Sequence, residues 1–277
     1  MRDYYRFVDR RKVTKAHGVL PDAKLFAAVL LTIAVAISFA YLVLDPRFDD
    51  FYYGETGILN RWFTLTTDIG KSHWLIIGTG SIVLFMSAYR DDRLSVPHMV
   101  QWHHVFLHFY FALTTIVFSG LIAIVLKNLI GRARPALFDG SSYWMSVPFG
   151  DSYTFASFPS GHSTTIGALA AIIYLLLPRF RVAVFVLALW VGASRVGVGA
   201  HYPSDVIAGL AVGILFTWLY ARAFARKRLL FEFSETGSLR LRNLASKRAR
   251  RKARRRAMAS GKPAYAALFA NRFSSRA

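Results

Sequence analysis

The amino-acid sequence predicts an all-α membrane protein, a bundle of six transmembrane helices with both termini in the cytoplasm. Three observations lead there. The chain is 55% hydrophobic and 15% aromatic, with a mean hydropathy of +0.36, more apolar than a soluble chain of 277 residues needs to be. Its apolar residues gather into runs near the roughly 20 residues that cross about 30 Å of hydrocarbon as a helix. Lysine and arginine, finally, collect on the flanks that share one side of a six-span chain.

Residues 1–24 are polar and basic and form a cytoplasmic N-terminal segment; Leu25 to Leu44 then make an uninterrupted apolar run that stops at Asp45-Pro46. Ala34-Val35-Ala36 mimics a signal-peptidase site, but the polar leader is long and the run continues to spanning length, so the segment is expected to stay as an uncleaved anchor. The further spans expected from the apolar runs are Ser72 to Tyr89, Val105 to Leu126, His162 to Leu177, Val182 to Ser194 and Ser204 to Ala221. The fourth and fifth are short, and the fifth is extended by the weakly polar stretch Val196 to Ala200. Residues 25–222 thus form the membrane domain, and residues 223–277 a basic cytoplasmic tail, disordered or membrane-adherent.

Orientation follows from Arg2 to Lys24, Arg90 and Arg93, Arg179 and Arg181, and the tail, all on the side expected to be cytoplasmic. The opposite loops are Asp45 to Lys71, Lys127 to Gly161 and Arg195 to Pro203, and the last two hold cations that the charge rule does not favour there. The formal net charge is +20, most of it in the tail, where Lys247 to Arg256 is nearly all basic. Beneath a cytoplasmic leaflet such a run attracts anionic lipid headgroups by about 1 kcal/mol per residue, so lipid rather than nucleic acid is its expected partner. The absence of cysteine excludes disulfides and thiolate chemistry.

The misplaced cations belong to three short stretches that alternating helix directions bring to one membrane face. Lys127 to Pro135 follows the third span, Pro159-Ser160-Gly161-His162 opens the fourth, and Ser194-Arg195, His201 and Asp205 bridge the fifth and sixth. Lys127, Arg134 and Arg195 would repel one another unless an anion sat among them, and phosphate fits the arginine forks. Ser160 can cap a helix, and Gly161 lets backbone amides and the positive helix end approach an anion. His201 and Asp205 are four residues apart, so the carboxylate can hold one ring nitrogen and leave the other as a nucleophile. His162, from another helix, is then available as general acid and later as base.

Taken in order, K-x6-R-P (Lys127, Arg134, Pro135), P-S-G-H (residues 159–162) and S-R-x5-H-x3-D (Ser194, Arg195, His201, Asp205) resemble the three signature motifs of the type 2 phosphatidic acid phosphatase superfamily, over Leu25 to Arg222. The resemblance implies that Lys127, Arg134, Ser160, Gly161 and Arg195 bind phosphate, that His201 forms a phosphohistidine, that Asp205 orients it and that His162 protonates the leaving group. It implies no metal and no cofactor. Arg132 lies inside the first motif but is not one of its defining positions.

The expected function is therefore that of an integral membrane phosphatase acting on a lipid phosphomonoester or pyrophosphate: undecaprenyl pyrophosphate, lipid A phosphates, phosphatidylglycerophosphate or phosphatidic acid. The expected location is a bacterial inner membrane with the site facing the periplasm. The superfamily includes soluble vanadium haloperoxidases, against which so apolar a chain argues. The alternative from another class is an anion transporter with a surface phosphate site. A metal reading of His98, His103, His104 and His108 rests on the i, i+4 spacing of the last two and lacks a nearby carboxylate or cysteine.

Overall fold

The computed structural model describes residues 18–52, 57–89, 96–138, 143–150, 153–234 and 236–242, with side chains at 96–100 left aside. Contacts divide the chain into residues 1–240 and 241–277, and only Leu241 and Arg242 of the second unit are described. The expectations for residues 1–17, for Arg90 and Arg93, for the His98 side chain and for the basic run 247–256 lie outside the described residues.

Eight α-helices are described: α1 (Ala23–Phe39), α2 (Phe48–Phe51), α3 (Ile58–Thr67), α4 (Ser72–Ala88), α5 (Val96–Ile130), α6 (Gly161–Leu176), α7 (Arg181–Gly197) and α8 (Pro203–Arg226). Among the described residues, five helical stretches are long and apolar enough to cross a membrane: Ala23–Phe51, Ile58–Ala88, Gln101–Ile130, Pro178–Gly197 and Pro203–Arg226. The remaining expected span, α6, has 16 residues, about 24 Å at 1.5 Å per residue. It is packed on α5, α7 and most extensively on α8, with Ser163 to Ala168 all buried. By contrast, α1 has no buried residue, and Leu31, Val35, Ile77, Leu84, Phe118, Val182 and Phe185 lie exposed on outer faces, as hydrocarbon-facing side chains would.

Two expected boundaries move. The first helix does not stop at Asp45-Pro46: it widens into a π-helical turn at Ala40–Leu44 and continues through a 3-10 turn, Asp45–Arg47, into α2. Proline is tolerated in the first turn of a new helical segment, and the Asp45 carboxylate does not seek water because it is fully buried against protein donors. At the other end, α8 runs past residue 222 to Arg226, and β1 (Phe231–Phe233) pairs with β2 (Leu239–Leu241). Leu230 and Phe231 are wholly buried, with Phe231 set edge-on to Phe111 at 5.1 Å between ring centres, so the start of the expected tail is part of the core. Arg222 acts as a clamp: it donates to the carbonyls of Val19 at 2.8 Å, Gly18 at 3.2 Å and Leu20 at 3.3 Å.

The crossing of α6 and α8 sets the site. A Cβ on Gly209 would lie 2.4 Å from the Ser160 carbonyl oxygen, and one on Gly213 would lie 2.2 Å from that of Thr164. Only glycine at both positions lets the two helices touch backbone to backbone, the use that small residues four apart serve in membrane helix pairs.

Candidate active site

At the end of the bundle where α5 and α7 finish and α6 and α8 begin, α5 closes on Gly131, whose φ of 61° and amide bond to the Lys127 carbonyl form a left-handed cap. The chain then runs extended as Arg132-Ala133-Arg134 between two strands of loop. Ala133 donates to Met145 O at 2.8 Å, Arg134 to Thr154 O at 2.9 Å, and Arg132 O accepts from Ser157 N at 3.0 Å. This pins the first motif beside the second. Ser160 caps α6, its hydroxyl accepting from Ser163 N at 3.4 Å, while its own amide donates to Asp205 O at 3.0 Å and ties α6 to α8. The Asp205 carboxylate reaches back to the Tyr202 amide at 3.0 Å, one half of a capping box that starts α8 on Pro203.

Each residue of the three motifs singled out from the sequence is present at this end. Lys127 donates to Ala156 O and lies against Gly161, where a Cβ would meet Lys127 Cε at 3.7 Å. Arg134 is held by Tyr153 O at 2.8 Å and Ala200 O at 3.2 Å and stacks on the Tyr153 ring at 4.4 Å. Arg195 donates to Thr67 Oγ1 at 2.7 Å, and its buried Nε has no partner among the described residues. Lys127, Arg134 and Arg195 lie close enough to repel one another, and His162 shares the field of Arg195 and Lys127. Burial lowers the pKa of Arg134 from its ordinary value, against the attraction of Tyr153 and Asp205. A buried cation cluster with an unused N–H is a receptor for a multivalent oxyanion.

His201 is 2% exposed, and its pKa is pushed down to about 3, chiefly by burial and also by the charges of Lys127 and Arg134, with Asp205 opposing. The ring is therefore neutral at pH 7, with one nitrogen lone pair free. Its Nδ1 is 3.6 Å from Asp205 Oδ2, too long for the direct hydrogen bond expected from the sequence. Ser157 stands between them: its hydroxyl donates to Asp205 Oδ2 at 2.6 Å and lies 3.4 Å from His201 Nδ1, where it can accept from the ring.

Sequence reasoning missed Ser157, Thr67, Gly70 and Asp45. Thr67 ends α3, an amphipathic helix inside what the sequence presented as a loop, and its alternation of polar and apolar faces was the available signal. Gly70 lies so close to His162 that a Cβ there would be 3.0 Å from the histidine Cβ. Ser157 and Asp45 carry no local signal. Arg132 is not in the cation cluster: it is wholly buried and paired to Asp45 at 2.8 Å and Asp205 at 2.6 Å. His104 and His108 meet ring to ring at 4.6 Å, with His108 Nδ1 against the His104 carbonyl at 2.7 Å. Among the described residues no group of three or more His, Cys, Asp or Glu is placed to hold a metal.

Residues 108–229 match the model of the PAP2 superfamily. The chain is 47% identical over 180 residues to the lipid A 1-phosphatase of Rhizobium johnstonii, covering 62% of this chain and 71% of that protein. It is 36% identical over 110 residues to an undecaprenyl-diphosphatase of Sulfolobus acidocaldarius, covering 38% and 52%. The crystal structure of a PAP2-type phosphatidylglycerolphosphate phosphatase from Bacillus subtilis aligns with a TM-score of 0.48 at 24% identity, over 70% of this chain and 92% of that one. With three complete motifs meeting at one end of an apolar helix bundle, and with this degree of identity across most of a named phosphatase, the chain belongs to the PAP2 superfamily of membrane phosphatases.

Proposed function

We propose that the protein removes a phosphate from lipid A at the outer face of a bacterial inner membrane, by way of a phosphohistidine on His201. The observation that carries the mechanism is the neutral, buried His201 lying in the field of Lys127 and Arg134. Nδ1–H is directed at Ser157 Oγ and Asp205, which leaves the Nε2 lone pair to attack phosphorus. As the N–P bond forms, the bond from phosphorus to the lipid oxygen breaks, and His162, protonated once the bound phosphate offsets the charges of Arg195 and Lys127, delivers that proton to the oxygen. Water then attacks the phosphohistidine, giving its proton to His162 and releasing inorganic phosphate. Lys127, Arg134, Arg195, the Ser160 hydroxyl and the Gly161 amide hold the phosphoryl oxygens and take up the charge that builds in the transition state.

Lipid A is favoured among the candidates because the Rhizobium relative, similar over 71% of its length, is a lipid A 1-phosphatase. Undecaprenyl pyrophosphate is the second reading, from the shorter similarity to the undecaprenyl-diphosphatase. Membership in a phosphatase superfamily favours an enzyme over an anion transporter. Six spans, cytoplasmic termini and a periplasmic site complete the proposal, supported by the lysine and arginine bias of the flanks. The test is phosphate release by the purified protein from lipid A, undecaprenyl pyrophosphate, phosphatidylglycerophosphate and phosphatidic acid, each with and without His201→Ala. Turnover is expected to be fastest on lipid A and to vanish in the variant, with insertion and folding retained. Wild-type turnover by His201→Ala would overturn the mechanism; a faster reaction on another lipid would overturn the substrate.

A further inference from the structure

Arg132 sits beside the cation cluster but cannot serve it. A guanidinium has five N–H bonds, and in Arg132 all are engaged: Nε to Tyr143 O at 3.1 Å, one terminal nitrogen to Ser204 Oγ at 2.7 Å and Asp205 Oδ1 at 2.6 Å, the other to Asp45 Oδ2 at 2.8 Å and Tyr143 O at 2.7 Å. Its flat face is covered by the Tyr202 ring at 4.3 Å and the Trp144 ring at 4.7 Å. Asp45 is equally committed, accepting from Ser204 N at 3.0 Å and Ser204 Oγ at 2.6 Å as well as from Arg132. No donor is left for a substrate phosphate.

We propose that Asp45 and Arg132 are a positioning pair for Asp205, which fixes the direction of its carboxylate and keeps its negative charge available to His201. The proposal rests on the reading of His201 as nucleophile. The Arg132 contact locks Asp205 Oδ1, so the second oxygen faces Ser157, the Tyr202 amide and His201. An arginine paired with Asp205 alone would cancel its charge and weaken it as partner to the imidazolium character that develops when His201 bonds phosphorus. Asp45 divides the guanidinium between two carboxylates, so the buried cluster keeps a net negative charge beside His201. Asp45 lies outside residues 108–229, so the first helical stretch, Ala23–Phe51, supplies a working part that the family model does not include.

The experiment compares Asp45→Asn, Arg132→Gln, Arg132→Lys and the Asp45→Asn/Arg132→Gln double variant, with His201→Ala as reference, in kcat and KM on the best lipid substrate. Each protein is assayed below its own melting temperature in detergent. Outer partners that orient a metal-bound histidine are worth about 10- to 100-fold, and the effect on His201 through Asp205 is set at the lower end of that scale. Asp45→Asn is therefore expected to lower kcat about 10-fold with KM within about twofold. Arg132→Gln, which leaves two buried carboxylates unpaired, should cost more, Arg132→Lys should recover part of the loss, and the double variant should exceed Arg132→Gln alone. A structural prop would give neither a kcat-only loss nor recovery on removing a second group. If Arg132→Gln does not fold, Asp45→Asn, isosteric and still able to accept from the Ser204 amide, carries the test alone. Unchanged kcat in Asp45→Asn beside an inactive His201→Ala overturns the positioning pair and leaves the nucleophile standing; an active His201→Ala overturns the nucleophile instead.

Discussion

Adding one methyl group at Gly209 tests whether the backbone contact between α6 and α8 holds the two halves of the site together. The added Cβ would lie 2.4 Å from the Ser160 carbonyl oxygen and 2.9 Å from Ser163 Cβ. A relaxed carbon-to-oxygen contact is about 3.3 Å or more, so the start of α6 must retreat by roughly 1 Å. Ser160, Gly161 and His162 ride on that segment, whereas Asp205 sits one turn before Gly209 on the other helix. The bond from Ser160 N to Asp205 O, 3.0 Å long, stretches with the shift. Overpacking of this kind costs about 1–3 kcal/mol, and a displacement of about 1 Å between reacting groups can cost on the order of 100-fold in rate. Gly209→Ala is therefore expected to insert and fold, to melt at a lower temperature in detergent, and to lose about 100-fold in kcat for phosphate release. Gly78→Ala, on α4, is the control, because a Cβ there meets nothing within 4 Å. Wild-type kcat in Gly209→Ala would refute the reasoning, since it would mean that the spacing of the two helix starts does not govern the chemistry.

Three further outcomes follow from separate features. Thr67→Val removes the acceptor that holds Arg195 at 2.7 Å, a bond to a charged group worth about 1.5–3 kcal/mol, and should raise KM about 10-fold or more; an unchanged KM would show that Arg195 is oriented by something else. The pKa of His201, near 6.5 in an unfolded chain, is about 3 in the folded one, so the unfolded state takes up the proton first as pH falls. The stability associated with this site is thus complete above about pH 6.5 and is lost progressively toward about pH 3. Between pH 7 and 5 the wild type should lose more melting temperature than His201→Gln, and equal losses would contradict the assignment. A topology reporter placed between Phe138 and Ser152 should read outside the cytoplasm and one fused after Ala277 inside; the reverse would turn the site toward cytosolic-leaflet lipids.

The helices and the motif residues were legible because they are written in local pattern. Apolar runs mark five of the long helices, and cations stranded at helix ends mark the proposed anion site. What escaped was whatever acquires meaning only through distant contact. Asp45-Pro46 reads as a stop, and becomes the middle of a continuous helical segment only because Arg132 and Ser204 receive the carboxylate. Ser157 is one hydroxyl in a serine-rich loop until folding places it between His201 and Asp205. Leu230 and Phe231 sit in a basic stretch that suggests solvent, yet Phe111 and Phe224 give them a core to join. Arg132 was visible as a cation but not as one whose donors are all spent within the protein.

The pairing of Asp45 with Arg132 and Ser204 also bears on how the molecule is made. Asp45 leaves the ribosome on the first helix, but its partners lie 87 and 159 residues further along the chain. At about 5–20 residues per second, the carboxylate waits on the order of ten seconds or more for Ser204. Throughout that interval the first helix has no internal neutraliser at its end and must keep Asp45 in contact with water at the membrane surface. The arrival of α8 therefore draws the first helix into register, and enzymatic competence arrives only when synthesis of the membrane domain is nearly complete.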